Sequence, residues 1–388
     1  VINSDVCEGC GDCGVASNCL SLQPVKTELG TKRKIDQSSC NLDFSCVKGF
    51  CPSFVSVEGK LRKASAQQIS GLPELPAPEL TKVDPNRPWN IVATGVGGTG
   101  VLTVTSLIAM AAHLEGKGCA TMNQTGLAQK FGAVVCHVRV AAQQEDIYAV
   151  RVPAGEADLL LGCDLVVAAS DEALAKIDNP RSYAIVNEVD TPTSDIFKDR
   201  DHQLPIEELK QEIESQLAES QVEFYRATEF ADKILGDSIG SNLMLMGCAY
   251  QKGLLPVSEE ALFRAIELNG VAIEMNKQAF TLGRYLAFDA DLFKRYLAGD
   301  QFQPLEQFDE IVEDRFERLV DYRNEAYANQ YRGVTSKVKA KLAALGMDVD
   351  GELGCSVARN LFKVMAYKDE YEVARLLTSD KFSKRLDE

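Results

Sequence analysis

Short apolar runs alternate with helical patterns between residues 89 and 190. Trp89–Thr94 is an apolar run that predicts a buried strand, and after a glycine-rich turn Val101–Leu114 has apolar residues at helical spacing. Three later runs are also predicted to be strands: Ala133–Val140, Asp164–Ala169 and Ser182–Glu188. Strands that alternate with helices indicate βαβ units, so we predict an α/β domain with a Rossmann-like, mainly parallel sheet.

The rest of the chain after the sheet has a mostly helical pattern. Pro205–Ala218 begins with a proline that fits the first position of a helix. Apolar residues recur at helical spacing from Leu305 to Tyr322, where Asp314 and Arg318 are placed for an i,i+4 ion pair. We therefore predict a helical C-terminal region.

The head of the chain shows neither pattern. Seven of the twelve cysteines lie in the first 51 residues, and a proline-rich stretch follows them. We predict four segments: a cysteine-rich head at 1–60, a linker at 61–88, the α/β domain at 89–283 and the helical region at 284–388.

Charge and hydropathy exclude several classes of protein. The chain has 388 residues, with 41 basic and 57 acidic side chains and a net charge of −16, which argues against binding nucleic acid or anionic membranes. No apolar run approaches the roughly 18 residues of a membrane span, and no export signal is recognisable. Because the chain starts at Val1 and ends in a helical pattern, we expect a piece of a larger cytoplasmic protein.

The spacing of the first cysteines is the strongest chemical signal. Cys7-x2-Cys10-x2-Cys13 can wrap a loop around one face of a cubane cluster, and the fourth ligand is commonly a remote cysteine followed by proline. Cys51-Pro52 meets that requirement. We therefore predict that Cys7, Cys10, Cys13 and Cys51 hold a [4Fe–4S] cluster, which makes the head an electron-transfer module.

Three cysteines remain for a possible second metal site: Cys19, Cys40 and Cys46. They could hold a second cluster with one non-cysteine ligand, hold a three-iron cluster, or be structural. Zinc and disulfides are the alternatives for the whole group. The spacings of five and four in Cys40-x5-Cys46-x4-Cys51 do not resemble paired zinc knuckles, and the three histidines are distant in sequence.

The turn after the first strand reads Gly95-Val96-Gly97-Gly98-Thr99-Gly100 and fits G-x-G-x-x-G between a strand and a helix. In this context glycines let the backbone approach a phosphate, which is met by free N–H groups at the helix start. We predict a cofactor-binding loop formed by Gly95, Gly97, Gly98, Thr99 and Gly100. The alternative is a tight turn needed only for packing. Glu115 is poorly placed as a ribose ligand, so an ordinary NAD site is doubtful.

A polar stretch, Asn123–Gly132, precedes the next strand. Gln129 and Lys130 are predicted to line the same crevice, although Lys130 could equally be a solvated loop cation. His137 and Arg139 share one face of the following strand, where we expect a surface or interface role. Ser170 is predicted to cap a helix.

Several segments together resemble the indolepyruvate ferredoxin oxidoreductases, members of the 2-oxoacid:ferredoxin oxidoreductase family. The head resembles the ferredoxin segment of these enzymes, which implies a ferredoxin-like iron–sulfur domain at 1–60. This resemblance rests on Val6–Gly14, Asp36–Asn41 and Gly49–Val55. In the α/β domain, which resembles the gamma-type domain, it rests on Gly95–Gly100, Ala111–Gly118, Thr125–Lys130, Ala265–Ala272 and Asn276. Phe131 departs from the family pattern, which often has a small residue there.

The resemblance implies a specific reaction. Such enzymes decarboxylate an aryl 2-oxo acid on thiamine diphosphate, pass electrons through iron–sulfur centres to ferredoxin and release a coenzyme A thioester. The usual thiamine diphosphate motif, G-D-G with trailing asparagines, is absent from this sequence. The resemblance therefore implies that the decarboxylating domains lie elsewhere, upstream or on a partner chain in an oligomer, and that this chain alone is not catalytically complete.

Two other functions remain open. One is an iron–sulfur oxidoreductase with a dinucleotide bound in the 89–190 fold. The other is a non-enzymatic, ferredoxin-like electron relay. No catalytic residue is assigned from the sequence. Within the resemblance, the glycine-rich loop would hold a phosphate of coenzyme A or of the thiamine diphosphate in a docked domain.

Overall fold

A computed structural model describes residues 1–37, 39–58, 72–126, 131–178, 180–189, 193, 195, 199, 204–289, 291, 294 and 304–387. The chain divides into two compact units. The first contains Val1–Ile35, Phe44–Lys60 and Gln301–Glu388, and the second contains Asp36–Asp43 and Leu61–Asp300. The N-terminal and C-terminal segments thus fold together in the first unit. The boundaries expected for the four sequence segments stay predictions.

The strands and helices follow in chain order. The strands are β1 Leu22–Thr27, β2 Gly30–Ile35, β3 Trp89–Val96, β4 Gly118–Thr125, β5 Ala133–Ala141, β6 Leu159–Gly162, β7 Tyr183–Asn187 and β8 Val222–Tyr225. The α-helices are α1 Asp12–Ser17, α2 Val101–Leu114, α3 Leu165–Ala168, α4 Asp171–Leu174, α5 Ile206–Glu214, α6 Ala227–Leu235, α7 Ser241–Gln251, α8 Glu259–Asn269, α9 Ile273–Phe288, α10 Phe308–Tyr322, α11 Glu325–Ala344, α12 Glu352–Met365, α13 Glu370–Leu377 and α14 Asp380–Asp387. Short 3-10 helices cover Ser45–Val47, Gln144–Asp146, Glu219–Gln221 and Ser238–Gly240.

The second unit is built on a mixed sheet. Within the described residues, six strands pair in the order β4-β5-β3-β6-β7-β8. Strands β3, β6, β7 and β8 are parallel, whereas β5 pairs antiparallel with both β3 and β4. The predicted α/β class with a mainly parallel sheet is confirmed, together with the strand at 89, the helix at 101 and the strands near 133 and 183.

Strand β3 is buried on both faces, which explains its continuous apolar run. Ile91 and Ala93 lie in a core with α2, α7 and α9, whereas Val92 lies in a second core with α3 and α5. Alternate side chains of a strand point to opposite faces, so one strand contributes to both cores. This arrangement places the end of β3, and the glycine-rich turn after it, between two layers of helices.

The strand predicted at Asp164–Ala169 is wrong. The strand lies earlier, at Leu159–Gly162, and Leu165–Ala168 forms a helical turn. Asp164 begins that turn because its Oδ1 accepts the N–H of Val167 at 3.0 Å. Both segments are short and apolar, and hydrophobic pattern alone does not distinguish a short buried strand from a short buried helix.

Two other helix predictions have clear outcomes. Ser170 caps α4, since its Oγ accepts the N–H of Ala173 at 3.4 Å. The helix expected at Pro205–Ala218 is shorter: Pro205 occupies the cap position, and the helix covers Ile206–Glu214.

The first unit combines a small hairpin with a helical bundle. Strands β1 and β2 pair antiparallel, and α10, α11 and α12 surround a core that includes Phe308, Ile311 and Tyr331. The predicted pair on α10 is present, with Arg318 Nε 2.7 Å from Asp314 Oδ2. The helical C-terminal region is confirmed. Among the described helices, none combines the length and apolarity needed to cross a bilayer.

Candidate functional site

The N-terminal segment pairs with the segment that follows Cys51. The N–H of Asn3 donates to the carbonyl of Ser53 at 2.8 Å, and Ile2 and Phe54 form an antiparallel bridge. The carbonyl of Asn3 in turn accepts the N–H of Cys7 at 2.9 Å. These backbone bonds bring the beginning of the Cys7–Cys13 loop close to Cys51, a contact across more than forty residues of sequence.

The loop that carries the first three cysteines turns through left-handed backbone at two glycines. Gly9 has φ 69° and Gly11 has φ 86°. Gly9 also has no room for a side chain, since a Cβ there would lie 2.1 Å from the carbonyl oxygen of Thr31 in β2. The N–H of Gly9 donates to Cys7 Sγ at 3.3 Å. The glycines therefore shape the loop, and Gly9 also supplies a hydrogen bond to the Cys7 sulfur.

The four predicted ligands are close enough to influence one another. Burial, together with the thiols of Cys7, Cys10 and Cys51, raises the pKa of the Cys13 thiol to about 11. Cys7 is buried, whereas Cys10 and Cys51 are exposed, and Cys51 Sγ lies 3.0 Å from Ser53 Oγ. Negative charge on all four sulfurs would be mutually repulsive without a compensating positive centre.

The group predicted at these four cysteines is an iron–sulfur cluster and not a single metal ion. A [4Fe–4S] cluster is held by four cysteine thiolates around a cubane, so its ligands need not converge on one point. Within the described part of the chain, no three His, Cys, Asp or Glu side chains converge closely enough to hold a single metal ion. Ligation by Cys7, Cys10, Cys13 and Cys51 stays a prediction.

The remaining three cysteines of the head do not fall in one unit. Cys19 and Cys46 belong to the first unit and Cys40 to the second. The 3-10 helix that carries Cys46 packs against α1, which carries Cys13. Cys40 Sγ accepts the N–H of Leu42 at 3.4 Å, the same i to i+2 bond that Cys7 makes. A second metal site at these three cysteines also stays a prediction.

The glycine-rich turn has the geometry of a strand-to-helix loop. Gly98 and Gly100 have φ 88° and 96°, and a Cβ at Gly95 would lie 2.6 Å from Val101 Cγ2. No side-chain hydrogen bond caps α2 at Gly100, although the N–H of Thr103 donates to the carbonyl of Gly100 at 3.1 Å. Gly98 and Thr99 are exposed. The loop can therefore present backbone donors to an anion, and Gly95 is required for packing as well.

Neighbouring elements hold this turn on two sides. Gly97 donates its N–H to the carbonyl of Gly132 at 2.8 Å and accepts the N–H of Phe131 at 3.1 Å. On the other side, buried Asn242 in α7 donates from Nδ2 to the carbonyl of Thr99 at 2.8 Å. Thr99 uses its own hydroxyl to donate to the carbonyl of Val96 at 2.7 Å.

The sequence did not single out Asn242, because a polar residue inside an apolar helix carries no motif. The signal that the sequence did offer was a polar residue directly before the apolar run Leu243–Met246. Gln129 and Lys130, predicted to line this crevice, lie outside the described residues. Phe131 adopts φ 62°, a conformation that favours glycine, so the residue that departs from the family pattern is also a point of backbone strain.

The structure also bears on two residues considered in the sequence analysis, His137 and Glu115. His137 is fully buried instead of on the surface, its Nδ1 accepts the N–H of Val152 at 3.3 Å, and burial lowers its pKa to about 4. Glu115 accepts the N–H of Ser258 at 2.8 Å and pairs with Lys117 at 2.6 Å. Because both carboxylate oxygens of Glu115 are engaged in these contacts, Glu115 is not placed to bind the hydroxyls of a ribose.

Two segments of the chain match known protein families. Residues 90–286, more than half of the chain, match the family described as pyruvate ferredoxin/flavodoxin oxidoreductase. Residues 308–388 match a family of unknown function, DUF6537. The first match covers the described six-stranded sheet except Trp89, and the second covers α10 to α14.

Individual relatives cover the same region. The chain is 31% identical over 199 residues to indolepyruvate oxidoreductase subunit IorB of Thermococcus kodakarensis, which covers 50% of this chain and 94% of that protein. The subunit of the same name from Pyrococcus horikoshii is also 31% identical, with the same coverage. Pyruvate oxidoreductase subunit PORC from Thermotoga maritima, a solved structure, is 19% identical with a TM-score of 0.38, covering 51% of this chain and 96% of that one. Because the family match at residues 90–286 covers more than half of the chain, the chain belongs to the pyruvate ferredoxin/flavodoxin oxidoreductase family.

Proposed function

We propose that this chain supplies the electron-transfer and gamma-type parts of an indolepyruvate-type 2-oxoacid:ferredoxin oxidoreductase. One observation carries the proposal: in a chain whose residues 90–286 match the oxidoreductase family, four thiols outside that match lie in one compact unit, where backbone hydrogen bonds join the segment before Cys7 to the segment after Cys51. The name shared by the two relatives at 31% identity, indolepyruvate oxidoreductase subunit IorB, supports the substrate class.

The head acts as the electron carrier in this proposal. Cys7, Cys10, Cys13 and Cys51 would hold a [4Fe–4S] cluster, which supplies one-electron transfer when bound. Ser53 and the N–H of Gly9 lie against two of the four sulfurs and orient them. Exposure of Cys10 and Cys51 leaves one side of the group open to solvent, where a ferredoxin can approach.

The α/β domain acts as the anion-binding part. The N–H groups at the start of α2 and the positive end of its dipole favour a phosphate at the glycine-rich turn. We propose a phosphate of coenzyme A, or of thiamine diphosphate in a docked domain, as the ligand. Asn242 and Gly132 hold the turn in place for that contact. Gln129 and Lys130 remain proposed lining residues.

Decarboxylation itself belongs to other domains. Since the sequence lacks the thiamine diphosphate motif, we expect no turnover of indolepyruvate by this chain with a ferredoxin acceptor. Adding the thiamine diphosphate-binding partner, indolepyruvate and coenzyme A under anaerobic conditions should reduce the cluster, as followed by EPR. A matched mixture in which the chain carries Cys51→Ser should show no such signal.

Two outcomes would contradict the proposal. Turnover by the isolated chain would mean that catalysis does not need other domains. A cluster that stays oxidised in the complete mixture, although dithionite reduces it, would mean that the head is not on the electron path.

A further inference from the structure

The helices at the C-terminus pack directly against the cysteine-bearing head. Arg315 in α10 pairs with Glu28 in the β1–β2 turn at 2.8 Å, and it is almost fully buried. Near the end of the chain, Arg385 donates to Ser4 Oγ at 2.8 Å, and Asn3 Nδ2 donates to the carbonyl of Leu376 at 3.3 Å. The C-terminal residues that match a family of unknown function therefore share one compact unit with Val1–Ile35 and Phe44–Lys60 of the head.

Lys368, in the segment between α12 and α13, reaches the residues on either side of Cys7. Its Nζ lies 3.4 Å from the carbonyl of Val6, which accepts from it, and 2.7 Å from Glu8 Oε1. The Lys368 side chain is 18% exposed, whereas that of Glu8 is 56% exposed. The positive charge of Lys368 is thus held beside Cys7, a predicted cluster ligand, and is partly shielded from water.

A second lysine lies in the hairpin strand that contacts this loop. Lys32 lies in β2, whose backbone touches the Cys7–Cys10 loop at Gly9, and it is 4% exposed. Burial lowers the pKa of Lys32, as does the neighbouring Lys368, while Glu8 and the Cys7 thiol act in the opposite direction. Lys32, Lys368, Glu8 and Cys7 are therefore one electrostatically connected group.

We propose that residues 308–388 form the second half of the iron–sulfur module, and that Lys368 and Lys32 raise the reduction potential of the cluster held through Cys7. This inference rests on the proposed function. Reduction transfers one electron from a donor to the cluster, and no bond forms or breaks. Because the reduced cluster is more negative, a nearby positive charge at low dielectric stabilises it, and net charge is one of the factors that set such potentials.

The test is an EPR-monitored redox titration of the full, anaerobically purified chain with dithionite. Lys368→Met removes the charge and keeps the length of the side chain. We expect its reduction equilibrium constant to fall about tenfold, which is a shift of about 59 mV to lower potential for a one-electron couple. Lys381→Met is the matched control, since Lys381 also pairs with the head, at Asp5, but not beside Cys7. Its potential should match that of the unaltered protein, as should that of Lys368→Arg.

Glu8→Gln provides a second test with the opposite sign. It removes the negative charge next to Cys7, so the potential should rise. Lys32→Met should lower the reduction potential, and this variant tests the same charge effect if Lys368→Met does not fold. A purely structural role of Lys368 would not predict shifts of opposite sign for Glu8 and Lys368.

The outcomes separate this inference from the function on which it rests. A chain purified without iron and labile sulfide would overturn the proposed function. A loaded cluster whose potential is the same in the unaltered protein, Lys32→Met and Lys368→Met, or shifts equally in Lys381→Met, would overturn only the inference.

Discussion

Gly9 is required for two separate reasons. Its φ of 69° is costly for a residue with a side chain, and a Cβ would collide with the carbonyl of Thr31. The same residue donates its N–H to Cys7 Sγ. A single position thus controls the loop conformation, its contact with β2 and a hydrogen bond to a predicted ligand.

Replacing this glycine should therefore release the cluster. In Gly9→Ala we expect most of the iron to be lost during anaerobic purification, because the strained backbone costs about 1–3 kcal/mol and the loop must move away from Thr31. Gly49→Ala is the matched control: it lies two residues before Cys51, and a Cβ there meets nothing within 4 Å. The check is iron per chain together with the thermal midpoint. Equal iron in the two variants would contradict this account of the loop.

At the scale of elements, the hairpin and α10 are joined by a buried ion pair. Arg315 donates from Nη2 to both the carbonyl and the carboxylate of Glu28, each at 2.8 Å, and also contacts Asp314. Its side chain is 2% exposed and that of Glu28 is 12% exposed. Removing one member of such a pair leaves a buried charge without compensation, whereas an exposed pair contributes little.

The hairpin should consequently depend on Arg315. We expect Arg315→Met to lower the unfolding free energy of the first unit by about 3–5 kcal/mol, measured by chemical denaturation. Hydrogen exchange should show the loss in β1, β2 and α10. Lys339→Met is the control: Lys339 in α11 pairs with Asp309 in α10 at 2.6 Å, but both side chains are exposed. Its cost should stay below about 1 kcal/mol. Similar losses in the two variants would contradict the role assigned to burial.

The elements themselves were predictable where the pattern was long or bounded by clear signals. Val101–Leu114 has the predicted limits, and β3 follows from its uninterrupted apolar run. The segment after Gly162 was not predictable, because the five apolar residues Leu165–Ala169 fit a strand or a helical turn and only the capping bond of Asp164 decides between them.

At the scale of the whole molecule, the N-terminal and C-terminal segments share one unit. The spacing of the cysteines predicted that Cys51 joins Cys7, and the structure brings their segments together through the bridge of Ile2 and Phe54. Periodicity carries no information about partners, so the contact of Lys368 with Glu8 could not be predicted. The helical region showed no chemistry of its own in the sequence. The role proposed for it rests on the packing of Lys368 beside Cys7.

The most direct test of the central claim is iron and acid-labile sulfide analysis, with EPR of the reduced protein, on anaerobically purified chain. The four-ligand assignment predicts about four irons and four sulfides per chain for one cluster, and up to about eight irons if Cys19, Cys40 and Cys46 hold a second. Cys51→Ala should abolish the first cluster, whereas Cys19→Ala should spare it. Zinc without labile sulfide, or a first cluster that survives Cys51→Ala, would contradict the account.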